Sequence, residues 1–407
     1  LQAGATFTGQ FVLPHPPNRV GATGWIVLRS SSLANLPAYG RRVFPIDALN
    51  MPTLIAGGNG DDVLTMEPSA RRYRFEGIEM RPPAANTGGS LVRLEGTSQA
   101  TQPEFIIFDR SYIHGIDGFG QHRGVHIEGK SIALVGSYVN NFKHLTDDTQ
   151  AFLGTTGEGP YLVENNFLEA SGENLMFGGG GAYTNVTPAD ITIRRNHFFK
   201  RLSWRVGDPL YGGTAWLVKN LLELKHAKRV LVEDNLFENA WGGQGQDGDA
   251  LIFTVRGEGY MTWATVSDVT VRRCRVRRVD ELFTAHGGDD SGPSAAQARF
   301  LFEHIIATQV GWSSPKRIWT LFGTVAGKQL SDVTVRHATA DGLLSWTAHG
   351  WADPVISNFT YQDNLANGAA YGITSGQGSG CPTITLSFPT GRDIRRNVLW
   401  GDGVEDQ

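Results

Sequence analysis

Leu222-Glu223-Leu224-Lys225-His226-Ala227-Lys228-Arg229-Val230-Leu231-Val232-Glu233-Asp234-Asn235-Leu236-Phe237 holds two short alternating runs back to back. The second, VLVEDNLF from Val230, is one copy of an eight-residue pattern. It reads apolar, variable, apolar, two mostly polar positions, a small or amide residue, then an aromatic or aliphatic pair. The pattern recurs at Ile106 (IIFDRSYI), Ile132 (IALVGSYV), Tyr161 (YLVENNFL), Ile191 (ITIRRNHF), Val269 (VTVRRCRV), Phe300 (FLFEHIIA) and Val333 (VTVRHATA). Weaker copies begin at Tyr73 (YRFEGIEM) and Ile356 (ISNFTYQD). From Ile106 onward the spacings are 26, 29, 30, 39, 39, 31 and 33 residues.

Apolar and variable residues that alternate over four or five positions give the period of a half-buried strand, and no comparable helical period runs through the chain. Repeats of this length with several short strands each read as a solenoid. The sixth position of the copies runs Ser111, Ser137, Asn166, Asn196, Asn235, Cys274, Ile305, Ala338. Asparagine tolerates left-handed backbone and hydrogen-bonds its own main chain, so the column suits a sharp turn repeated at every coil. The column resembles the asparagine ladder of right-handed parallel β-helices. The fold expected is therefore all-β: a single-domain right-handed parallel β-helix over residues 1–407, of about ten coils. Residues 1–70 are expected to form an opening coil and excursion, 71–370 the regular coils, and 371–407 a C-terminal cap. Cys274, inside the column, is expected to be a small buried residue.

Composition narrows the function. With 40% hydrophobic and 19% charged residues the chain is ordinary for a globular protein, and 51 glycines against five methionines point away from a helical one. A net charge of -4 argues against nucleic acid as a partner, and no basic run marks a membrane surface. No stretch approaches the roughly 18 apolar residues that cross a bilayer. Cys274 and Cys381 are too few for a disulfide framework or a cysteine metal cluster. Leu1 opens in the middle of an element, which predicts a leader or first strand upstream and a secreted or periplasmic location.

A second short strand follows each turn: Gln150 to Leu153, Leu175 to Phe177, Leu222 to Lys225, Leu251 to Arg256, Leu282 to His286, and Ile318 to Phe322. Most adjoin variable, Gly-rich loops, which on a solenoid build the binding face. Trp204, Trp216, Trp241 and Trp263 fall in the longest insertions, where a groove is expected. Stacking Glu223-Leu224-Lys225 on Thr254-Val255-Arg256 and Thr284-Ala285-His286 lines Lys225, Arg256 and His286 along one outer face, on rungs about 4.8 Å apart. Glu223 then sits beside Lys225, with Asn174, Asp148 and Gln150 on earlier rungs, and Trp241 and Asp249 at the groove for substrate. A lysine beside a fixed guanidinium has its pKa lowered toward that of a base. β-Elimination from a uronic acid polymer needs a base, an acid for the leaving oxygen and a cation or donor set for the carboxylate.

Glu223-Leu224-Lys225 with Asn235-Leu236-Phe237, then Gly248 through Arg256-Gly257, resembles the β-helical polysaccharide lyase family that contains chondroitinase B and alginate lyases. The resemblance covers about forty residues. It implies that Lys225 is the base, Arg256 the acid and Glu223 a Ca²⁺ ligand. Asn174, Asn196 and Asp148 complete the candidate metal set, and His286 the catalytic set. The chain departs from that family in carrying one carboxylate before the lysine and in placing Gly257 directly after the arginine. The implied function is a secreted, monomeric enzyme that cleaves an acidic polysaccharide, with Ca²⁺ as its cofactor.

Two other readings stay open. Asp147, Asp148, Glu173, Glu223, Asp247, Asp249, Asp280 and Glu281 fall near the same edge, and two carboxylates flanking a sugar make a glycoside hydrolase. The Asn-Thr-Asp and Gly-His-Gly motifs of the β-helical polygalacturonases do not occur. A non-catalytic carbohydrate-binding or spike protein is the third reading, since charged residues on an exposed strand face are also what any solvated sheet displays. His114, His122, His126 and His144 cluster in sequence without a spacing typical of zinc and are expected to be structural.

Overall fold

Each eight-residue copy forms a strand, a tight turn and the start of the next strand. The computed structural model describes residues 1–15, 24–83, 88–181, 183, 185–314, 317–342, 347–349, 355–367, 374–375, 378–379 and 381–400. The chain falls into two compact units, Leu1–Met176 with Pro188–Leu217 and Phe177–Thr187 with Val218–Gln407. Both are built from the same three-strand coil, the right-handed parallel β-helix that the repeat predicts.

In the first unit the repeat's leading strands, Arg71–Glu76, Glu104–Asp109, Lys130–Val135, Tyr161–Glu164 and Ala189–Arg194, pair in parallel. Register places Ile106 on Ile132, Ile132 on Tyr161 and Tyr161 on Ile191, each apolar position of a copy beside its equivalent. After the turn, Tyr112–His114, Tyr138–Phe142 and Phe167–Ala170 form a second sheet. Ser90–Leu94, Arg123–Ile127 and Gln150–Gly154 belong to a third. Residues 1–70 differ from the excursion expected of them. Thr6–Thr8, Phe11–Leu13 and Ile26–Arg29 already make one coil, and Thr53–Ile55 with Leu64–Met66 start another. Their strands are short, and Pro16 and Pro17, which obscured the pattern, lie outside the described residues.

The second unit repeats the coil from Ala227–Glu233 through Val266–Arg272, Ala298–Glu303 and Ser331–Arg336 to Ser357–Gln362. Val230, Val269, Phe300 and Val333 fall in register, but their next partner is Phe359, three residues after the expected Ile356. The true copy is therefore FTYQDNLA, and Asn364 is its sixth residue. The tail holds a helix, Cys381–Ser387, and then two strands, Asp393–Arg395 and Val398–Trp400, which add another turn. Residues 401–407 of the expected cap lie outside the described residues. Among the described residues no helix is long and apolar enough to cross a membrane.

The turn column works differently from the expectation. Left-handed backbone falls on the fifth residue of each copy: Arg110, Asn165, Arg195, Asp234, Arg273, His304 and His337 all have φ between 47° and 56°. The sixth residue points inward and bonds along the stack. Asn166 Oδ1 accepts from Ser137 N at 2.8 Å, and Asn166 Nδ2 donates to Leu134 O at 2.8 Å and to Asn196 Oδ1 at 3.0 Å. Asn364 and Asn397 repeat this, with Asn364 N donating to Asn397 Oδ1 at 3.0 Å. These amides satisfy main-chain groups that the turn turns away from the sheets, which is the requirement a buried corner imposes. Cys274 occupies the same column buried, and desolvation pushes its thiol up to about 12, in keeping with a packing role.

Candidate functional site

In the second unit the third sheet contains Leu222–Leu224, Asp249–Phe253, Glu281–His286 and Trp319–Phe322. Leu222, Leu224, Leu251, Phe253, Phe283, Ala285, Trp319 and Leu321 alternate into the core, which turns Glu223, Ile252, Thr284 and Thr320 outward in one row. The row differs from the expected one by two residues. Leu224 pairs with Phe253, where the sequence reading placed Val255, and Glu223 stands beside Ile252. Lys225 and Arg256 are nonetheless neighbours across adjacent coils at the corner, because Arg256 N donates to Lys225 O at 2.9 Å.

The side chains of that pair are engaged elsewhere. Lys225 Nζ lies 3.4 Å from Glu223 Oε1, and Glu223 Oε2 accepts from Asn220 Nδ2 at 3.1 Å. Arg256 Nη1 donates to Asp289 Oδ1 at 3.0 Å and also binds Asp290. Burial alone would lower the Arg256 pKa, but the two aspartates outweigh it and raise the pKa above the usual guanidinium value. Such a group is a poor proton donor. Gly257 explains its place after the arginine: its N–H donates to Asp289 Oδ2 at 2.6 Å, and a Cβ there would meet Pro293 O at 1.8 Å. His286 packs edge-on to Phe322 at 4.6 Å, and its Nδ1 is buried without a partner. Burial first, then Arg256, lowers its pKa to about 4, against the pull of Asp290 and Asp289, so it is neutral at neutral pH.

The expected substrate and metal residues are mostly structural. Asn174 is fully buried, with Nδ2 donating to Leu168 O at 2.7 Å and to Phe199 O at 2.8 Å, while its Oδ1 accepts from Lys200 Nζ at 2.9 Å. An ammonium on that oxygen leaves no seat for Ca²⁺. The Oδ1 of Asn196 belongs to the ladder, accepting from Asn166 N at 2.9 Å, and its Nδ2 donates to Val163 O at 2.8 Å. Gln150 is also buried, bridging Arg123 Nε at 2.9 Å and Glu173 Oε2 at 2.7 Å. Asp148 is half-buried beside the Arg123 charge. Trp241 and Trp204 are buried, because loop packing took the rings that composition assigned to a sugar face. Asp280 clamps loops, accepting from Gly242 N at 2.8 Å and Ser313 N at 2.6 Å.

Asp249, expected at the groove for substrate and among the acids of the hydrolase reading, stands at the centre of a second constellation. Thr284 Oγ1 lies 2.5 Å from Asp249 Oδ1 and 3.1 Å from Glu281 Oε1, and the Thr320 hydroxyl also reaches Glu281. One hydroxyl carries one proton, so it cannot donate to both acids. Asp249 and Glu281 are 2% and 3% exposed. Burial and then Glu281 raise the Asp249 pKa well above the carboxylate range, with Asp247 and Glu223 adding to it. Burial, and beyond it Asp247, raise that of Glu281. Asp247 itself is exposed, on the loop that leads into the strand. Two buried acids that share a hydroxyl beside an exposed carboxylate hold their protons more tightly than free carboxylates would. The sequence reading included Asp247, Asp249 and Glu281 in its acidic edge but had no signal for the two threonines that join them.

No protein-family model matches the chain, and no curated protein matches it. Among solved structures it is similar to the Dettilon tailspike protein, at 12% identity with a TM-score of 0.40, over 92% of this chain and 68% of that one. It is also similar to an exopolygalacturonase from Thermotoga maritima, at 10% identity, TM-score 0.35, over 92% and 77%. A third similarity is to a family 28 exopolygalacturonase from Yersinia enterocolitica, at 11% identity, TM-score 0.31, over 99% and 72%.

Proposed function

We propose that the protein hydrolyses glycosidic bonds of a polysaccharide, with the Asp249–Glu281 pair as general acid and Asp247 as the second carboxylate. The observation that carries this reading is the hydroxyl of Thr284, shared by two buried acids whose pKa values are both raised. Hydrolysis needs a carboxylic acid that keeps its proton at neutral pH and gives it to the leaving oxygen as the C–O bond breaks. A second carboxylate then takes a proton from the attacking water, or attacks the sugar itself. The threonines hold the acids in place, and burial in low dielectric supplies the pKa.

Elimination at Lys225 and Arg256 is the second reading, favoured by the backbone bond that makes the two residues neighbours. It has less support, since Glu223 faces the lysine and two aspartates hold the arginine. One panel separates the two: alginate, pectate, glucuronan, glycosaminoglycans and neutral polymers, followed by reducing-sugar release and by ultraviolet absorbance of unsaturated ends. Reducing ends without absorbance, lost in Asp249→Asn and retained in Lys225→Ala, are expected. Absorbance that vanishes with Lys225→Ala establishes elimination, and silence across the panel in both assays removes the enzyme reading.

A further inference from the structure

In the first unit, His122 and His144 lie on successive coils, 22 residues apart in sequence, and the backbone brings them together. Gln121 and Lys143, the residues just before them, form an antiparallel bridge with both bonds made: Gln121 N to Lys143 O at 2.8 Å and Lys143 N to Gln121 O at 3.0 Å. The carbonyl of His122 is tied to the next coil by Gln150 N at 3.0 Å, and that of His144 accepts from Leu217 N at 2.9 Å. Gly120 makes room for the second imidazole, since a Cβ there would stand 3.1 Å from His144 Cδ2. The two rings meet edge to face with centroids 4.5 Å apart.

Asp147 completes the group. Its Oδ2 is 3.3 Å from His122 Nε2 and 3.5 Å from His144 Nδ1, and one ligand atom from each of the three residues lies within 4.8 Å of the others. These separations are long for charge-assisted hydrogen bonds, which run at about 2.7–2.9 Å. They match instead the ~3.3–3.4 Å between two ligand atoms that each sit about 2.0–2.1 Å from a tetrahedral ion. His122 Nε2 is buried with no hydrogen-bond partner despite the nearby carboxylate, so the two atoms do not point at each other. The backbone N–H groups of Asp147 and Thr146 approach His144 Nδ1 at 3.1 and 3.3 Å. That contact keeps Nδ1 unprotonated, and an ion bound there takes the lone pair over from those two N–H groups. Arg123 and Lys143, the cations adjacent to the two histidines in sequence, are drawn to Gln150 Oε1 and to Ile116 O, each at 2.9 Å.

We propose that His122, His144 and Asp147 bind a divalent transition-metal ion of the zinc class. Two imidazoles and one carboxylate select such ions over Ca²⁺ and Mg²⁺, which prefer all-oxygen sets. With three protein ligands and an Asp147 side chain 57% exposed, a fourth position faces solvent and takes water. Among the described residues the other cluster of this kind, Glu95, His126 and Glu128, also brings one ligand atom from each within 4.8 Å, but it offers one imidazole and two carboxylates, and His126 meets Glu128 through Nε2 at 3.3 Å and Glu95 through Nδ1 at 3.9 Å.

The test is metal retention by the full chain after loading with zinc chloride and dialysis, measured by elemental analysis, with Co²⁺ absorption as a report of coordination. The wild type is expected to keep about one equivalent and to give the intense visible bands of low-coordinate Co²⁺ with nitrogen ligands. His122→Ala with His144→Ala is expected to lose both, His126→Ala to keep both, and Asp147→Asn to weaken retention at least about tenfold. Thermal melting without metal shows whether each variant is folded, and Asp147→Asn on its exposed loop decides the matter if the double variant is not. No retention by the wild type, retention unchanged in the folded variants, or loss through His126→Ala alone overturns the assignment.

Discussion

The asparagine column and the Asp249–Glu281 pair are both buried and polar, and they differ in whether their hydrogen bonds close. In the column each oxygen meets an N–H and each N–H meets a carbonyl: Asn166 accepts from Ser137 and donates to Leu134, and Asn196 accepts from Asn166 and donates to Val163. Both amides accept and donate, which fixes their orientation. At the acid pair, acceptors outnumber the protons that Thr284 and Thr320 supply, and burial raises the pKa of both carboxyls. A buried network that closes fixes a structure. One that does not close keeps a proton available for chemistry.

The largest expected effect breaks that contrast at the acids. Asp249→Asn and Glu281→Gln keep shape and the threonine contacts but remove the transferable proton. Each should lower turnover on the responsive polysaccharide by about 10²–10⁴-fold with the far-ultraviolet spectrum unchanged. A variant that stays fully active would make the pair structural. The pair also has a stability signature. A carboxyl whose folded pKa is raised binds its proton more tightly in the native state, so unfolding releases protons. Stability should then fall as pH rises above about 4, and urea midpoints of Asp249→Asn should show less of that decline.

His286 sharpens the same comparison with the opposite sign. Its Nδ1 has no partner, and its pKa is lowered to about 4, so between about pH 4 and 6.5 the unfolded chain binds the extra proton. Stability should rise with pH across that window and be lost as pH falls through it, by up to about 3 kcal/mol. Urea melts of His286→Gln should lack this component. At the closed column, Asn166→Ala strands the Ser137 N–H and the Leu134 carbonyl and should cost about 2–3 kcal/mol without altering any pH profile. The smallest effect belongs to Cys274, which holds its place in the column by packing. Cys274→Ser should shift stability by about 1 kcal/mol or less, read from urea midpoints.

The coil was legible because its signals are local. Val230-Leu231-Val232 alternates within one strand, and Asn235 marks the corner within the same eight residues, so each copy carries its own instruction. FTYQDNLA fits the pattern but lies three residues beyond the weaker match at Ile356, while the copy before Asn397 has Arg392 where an apolar residue leads the others. The site was only partly legible. Asp247, Asp249 and Glu281 stood out as acids near an edge, but Thr284 reads as an ordinary strand residue until Asp249 is seen against it.

By itself, then, the sequence determined the alternation that drives these strands into parallel coils, the corner residues that turn them, and which side chains face in. Tertiary structure decided which outward residues meet. The pairing of Leu224 with Phe253 rather than Val255 is a slip of two, which leaves every side chain on its own face and so cannot be read from a pattern of period two. The neighbours across coils named here are some 22 to 39 residues apart in the chain, and loop length sets their register. For that reason the meeting of His122 with His144, and of Asp249 with Glu281, appears only once the coils are stacked.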